Sequence, residues 1–218
     1  MSKPAVHASV AAQDDDVTAA LAALGLTPVN LRRPLERAIP GASAVTPLDP
    51  PNTRGWLRYR FITRFLREEL VPLGWEAINV RGYPATVHRE RGIAIGIVTG
   101  DEATGNPKFT PRNKHPKGFV TKLAVEQNEQ LAFPGIEIDT PEIDETLPPD
   151  CKTYVLLHHW TTDHIATELS LPVGIVNKYI TGYSERIILP PVPRTNVGGL
   201  SLPEPPEEVD FDVTRRGE

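Results

Sequence analysis

The segment from Lys108 to Lys117 carries Lys108, Arg112, Lys114, His115 and Lys117, and no carboxylate. Fixed cations beside an imidazole, with the Thr110 hydroxyl and the Asn113 amide as neutral donors, form a set suited to phosphate oxygens. The segment closes at Gly118, where a helix is expected to begin, and the free backbone N–H groups of a helix start favour an anion. It is no Walker loop, because Gly118 is followed by Phe119 instead of Lys-Ser/Thr. An opposing reading exists. Between Ile136 and Asp150 lie Glu137, Asp139, Glu142, Asp144, Glu145 and Asp150 without a base. Folded over the basic loop, that strip would neutralise it internally.

A second set comprises Cys151, His158, His159, Asp163 and His164. Three histidines within seven residues suggest a metal. However, Thr153 to Trp160 reads as a strand, and adjacent strand side chains point to opposite faces. His158 and His159 therefore cannot share one site, and the favoured expectation is one core histidine with the others on the surface. Asp150 would raise the Cys151 thiol pKa, which disfavours a nucleophile. No Gly-x-Ser-x-Gly elbow occurs, and no cofactor is expected.

Thr161 to Ile180 resembles a helix-turn-helix. Ala166 would sit at the helix crossing, Ser170 in the turn, and Leu171 and Val176 at apolar positions, with Asn177 and Lys178 presented to a DNA groove. A β reading competes. Ile165, Thr167, Leu169 and Leu171 alternate, Pro172 and Gly174 would turn, and Arg186 to Leu189 would pair as a further strand. In that reading Glu168, Glu185 and Arg186 are sheet-surface or edge residues.

Positioning these groups falls to a core predicted over residues 53–189. A helix capped by Asn52 or Thr53 runs to Leu70, with Leu57, Phe61, Ile62, Phe65, Leu66 and Leu70 on one side. Arg60, Arg64 and Arg67 lie on the other, where Arg60 and Arg64 would extend the basic surface. Strands follow at Trp75–Val80, Ala85–Glu90 and Ile93–Val98, the last apolar throughout and so expected at the centre of a sheet. A helix over Phe119–Leu131 and the strand at Thr153–Trp160 complete a helix-strand-strand-strand-helix-strand order. The expected fold is α/β (α+β), a mixed β-sheet with packed helices, flanked by proline-rich arms. Trp56, Trp75 and Trp160 are expected as core anchors.

That order is similar to the shared core of restriction-type nucleases, which implies paired carboxylates and a lysine on the second and third strands. Those strands offer Pro84-Ala85 and Ile95-Gly96-Ile97, which ligate no metal. Asp101, Glu102 and His115 remain as the nearest groups for a metal-dependent phosphodiesterase.

The chain has 218 residues and 23 prolines. Prolines concentrate at 27–52 and 190–206, so residues 1–52 read as an arm with a short helix and a linker, and 190–218 as an acidic, extended tail. A net charge of −5 gives no global attraction to nucleic acid. A single cysteine excludes an internal disulfide framework. No apolar run approaches a bilayer span and no secretory signal is visible, so a cytoplasmic protein without membrane partners is expected. The leading expectation is a non-catalytic protein that binds nucleic acid or a nucleotide through Lys108–Lys117. An adaptor subunit with proline-rich arms laid across protein partners, and a nuclease-like enzyme, are the alternatives.

Overall fold

The computed structural model describes residues 8–132, 147–148 and 150–194. Four helices, α1 (Asp14–Ala23), α2 (Pro28–Ser43), α3 (Thr53–Leu70) and α4 (Phe119–Ala132), pack on strands β1 (Ser9–Ala11), β2 (Glu76–Val80), β3 (Tyr83–His88), β4 (Ile93–Thr99), β5 (Lys152–Trp160), β6 (His164–Val176) and β7 (Tyr179–Pro193). The seven strands form one sheet in the order β1-β7-β6-β5-β4-β3-β2. Only β1 with β7 and β4 with β5 run parallel. The architecture is thus a mixed α/β sheet with helices on its faces, and the expected order appears as α3-β2-β3-β4-α4-β5.

Strand alternation divides the core into two layers. Ile93, Ile95, Ile97, Tyr154 and Leu156 face α1, α2 and α3, meeting Leu21, Leu31, Leu35, Ile62 and Leu66. The intervening residues face α4: Ala94 packs with Ala124, and Val98, Val155 and Leu157 pack with Val125. The unbroken apolar run of β4 is therefore covered on both sides. Buried Asn128 pins α4 to the sheet, donating to the Thr153 and Pro172 carbonyls and accepting from the Thr153 N–H.

Three expectations are corrected. Residues 27–52, read as a proline-rich linker, contain the 16-residue helix α2. Pro28 sits in its first turn, where no N–H is needed, and Thr27 and Asn30 form a reciprocal cap. Pro34 and Pro40 interrupt its hydrogen bonding, but Leu31, Leu35, Ala38 and Ala42 bury a helical stripe that outweighs the loss. The helix-turn-helix reading of 161–180 also fails. These residues form most of the β6–β7 hairpin, whose turn is Asn177-Lys178 and not Pro172-Gly174. Pro172 and Gly174 lie within β6 at register shifts, where a missing donor and a missing side chain are tolerated. Finally, Pro190, Pro191 and Pro193 end β7 and do not begin a free tail. β1 covers only Glu185–Ile187, so these prolines occupy an uncovered edge next to an irregularity at Ile165/Thr167. The tail beyond Arg194 and most of the acidic strip lie outside the described residues; of its six acids only Asp150 is described.

Candidate functional site

Residues 100–118 leave the end of β4 and fold back over the α4 face of the sheet. Their path is set by three anchors. At the first, Glu168 and Arg186, diagonal to each other on β6 and β7, form an ion pair of 2.6 Å with side chains 0 % and 4 % exposed. Glu168 also accepts from the Gly105 N–H at 3.0 Å and from the Ser170 hydroxyl at 2.7 Å. Arg186 donates onward to the carbonyls of Phe109 and Asn106. Gly105 has φ +77, and a β-carbon there would press on Ala166, so glycine lets the chain approach the sheet. Burying two charges is tolerated here because each is paired and further hydrogen bonded.

The second anchor is Asn113, which is 2 % exposed. Its amide donates to the carbonyls of His115 and Lys178 and its oxygen accepts from the Ile180 N–H. At the third, the Lys117 N–H donates to the Lys178 carbonyl at 2.9 Å. Residues 109 to 113 therefore pass from Arg186 to the hairpin turn, and 113 to 117 stay beside it.

This frame leaves Lys108, Thr110, Arg112, Lys114 and His115 exposed, and holds the exposed turn residues Asn177 and Lys178 beside Lys117. None of Lys108, Arg112, Lys114, Lys117 or Lys178 has an ion-pair partner among the described residues. The Arg112 guanidinium lies over the Tyr179 ring at 5.5 Å. Half-buried Lys117 is desolvated, which lowers its pKa to about 8. α4 begins directly after this cluster, with the Lys122 N–H donating to the Gly118 carbonyl.

Three candidate residues change role. Asn113 spends its side chain on the backbone and is a clamp. Arg60 and Arg64 sit on α3, across the sheet from the loop. Arg64 is paired with Glu68 at 2.7 Å, and Arg60 lies over Trp56 and Phe61. Arg67, grouped with them in sequence, bonds the Ile78 and Ala85 carbonyls and ties α3 to β2 and β3. Trp75 is a core anchor, but Trp56 is 58 % exposed.

The remaining candidates are dispersed. The Asp101 carboxylate accepts from the Ala103 N–H in a local turn. Glu102 is exposed. Ile95 and Ile97, on the strand that would carry a nuclease triplet, are core residues. His158 is buried on the α3 face, while His159 faces the other side and lies 3.3 Å from the Gly100 carbonyl. Burial raises the Cys151 pKa. No grouping of three or more His, Cys, Asp or Glu suited to a metal occurs among the described residues. No described helix is long and apolar enough to cross a membrane.

The chain matches no family model, curated protein or solved structure. The site therefore rests on its own geometry. Sequence reading missed Glu168 and Arg186, expected at the sheet surface or edge and found as the buried anchor of the loop. The available signal was their opposite charge on two strands that a hairpin brings together, where they stand on one diagonal.

Proposed function

We propose that this protein binds polyanions, holding phosphate groups of nucleic acid or a nucleotide on the 108–117 loop and the Asn177-Lys178 turn. The carrying observation is the clamp at Lys178. Its carbonyl receives the Asn113 amide and the Lys117 N–H, so two basic segments distant in sequence share one surface. A loop fixed before binding loses little conformational entropy on binding, so its cations act as a preorganised set. Lys114, Lys117, Lys178 and Arg112 supply charge, and Thr110, His115 and Asn177 supply further hydrogen-bonding groups.

The test is a fluorescence-anisotropy titration of labelled oligonucleotides from 50 to 200 mM salt. The logarithm of affinity should fall linearly with the logarithm of salt concentration. In Lys114→Gln/Lys178→Gln the slope should become shallower by about 1.8 on a duplex or about 1.4 on a single strand, the release expected from two fewer phosphate contacts. An unchanged slope, or no binding at low salt, defeats the proposal.

A further inference from the structure

Aromatic rings bracket the cations of the loop. Phe109 is 62 % exposed beside Lys108, and Phe119 is 47 % exposed just after Lys117 and Gly118. Scattered exposed apolar residues are ordinary on a protein surface, but these two stand at opposite ends of one anchored segment. The Phe109 backbone is fixed by Arg186, and the Lys117 backbone by Lys178. Those anchors are eight residues apart along the hairpin. Between them lie Arg112, stacked on Tyr179, and Lys114.

Resting on the phosphate-binding reading of this loop, we infer that the ligand is single-stranded nucleic acid, whose unpaired bases stack on Phe109 and Phe119 while its phosphates follow the intervening cations. A duplex turns its bases inward and presents phosphates alone, leaving both rings against solvent. Free polyphosphate has no bases at all. Cations interleaved with aromatic platforms suit a single strand, where stacking is tolerant of sequence and charge tracks the backbone. Sites of this kind take footprints of about four nucleotides or more.

The experiment compares a labelled 12-nucleotide single strand, the corresponding duplex and inorganic tripolyphosphate as competitor, using the full chain and Phe109→Leu/Phe119→Leu. Leucine keeps an apolar side chain at two exposed positions, so folding is preserved, and thermal unfolding of the variant verifies this. The single strand should bind at least tenfold more tightly than the duplex. The double variant should lose about fivefold or more per ring for the single strand, with its salt slope unchanged and its duplex binding unaltered. Equal affinity for duplex and single strand, or full affinity in the variant, overturns the single-strand assignment and leaves the phosphate site standing. Absence of binding to all three polyanions overturns both.

Discussion

His158 lies wholly inside the protein, and neither ring nitrogen has a hydrogen-bond partner among the described residues. Burial, reinforced by the charges of Arg58, Lys117 and His159, lowers its pKa from 6.5 to about 3. Linkage fixes the sign of the consequence. As pH falls below 6.5 the unfolded chain takes up a proton that the folded chain refuses until about pH 3. Stability present above that window is therefore lost progressively within it. From pH 7 to pH 5 this one group should remove about 2 kcal/mol, at ~1.4 kcal/mol per pH unit once the unfolded form is protonated. Urea unfolding of the wild type and of His158→Leu at both pH values measures it: the wild type should lose that much more than the variant. Equal losses would show that the imidazole titrates normally in the fold. Other single residues explain why the site was only partly legible. Glu168 and Ser170 alternate with the core residues Thr167 and Leu169, so local pattern places them toward water. What covers them is a loop some sixty residues earlier, and no periodicity within the strand reveals that.

Among elements, α3, α4 and strands β2 to β5 were legible because their apolar spacing and stop signals agree. Where two signals conflict, burial decides. The prolines of α2 argue for a linker, yet its helical stripe docks on the sheet; the β6 segment fits helix and strand alike until its pairing with β5 and β7 is formed. The β6–β7 turn shows how the correct residues were reached through the wrong element. Asn177 and Lys178 were placed on a recognition helix, and the hairpin presents them instead. Both adopt left-handed conformations, with φ of 50 and 69. Such a turn prefers Asn followed by Gly, and a lysine in that region costs about 1 kcal/mol. Lys178→Gly should therefore raise stability by about 1 kcal/mol in urea while making the salt slope of single-strand binding shallower by about 0.7. Opposite signs in the two measurements would mean that a strained turn retains its charge for the ligand. A destabilised Gly variant would show instead that the lysine stem packs on the hairpin.

For the molecule as a whole, the sheet separates two cationic surfaces that look continuous in sequence. On one face, four guanidinium groups of α2 and α3 are met by acids: Arg32 by Glu36, Arg33 by Glu69, and Arg37 and Arg64 by Glu68. On the other, the cations of the loop and turn have no such partner among the described residues. Net charge conceals this asymmetry, because a total of −5 is compatible with a locally positive face. The layers between α3's outer surface and the loop amount to roughly 20 Å, about two Debye lengths at physiological salt, so Arg60 and Arg64 contribute little potential at the loop. Arg60→Gln/Arg64→Gln should therefore bind a 12-nucleotide strand with unchanged affinity and unchanged salt slope, in contrast to Lys114→Gln/Lys178→Gln. Because both arginines are exposed and Arg64 forms a surface pair, the stability cost should stay under about 1 kcal/mol, so the comparison is between folded proteins. If the arginine variant weakened binding as much as the lysine variant, the ligand would have to wrap around the sheet edge and use both faces. Affinity that stays level as the strand is lengthened from about four to about twelve nucleotides would be the companion result for a site confined to the loop face.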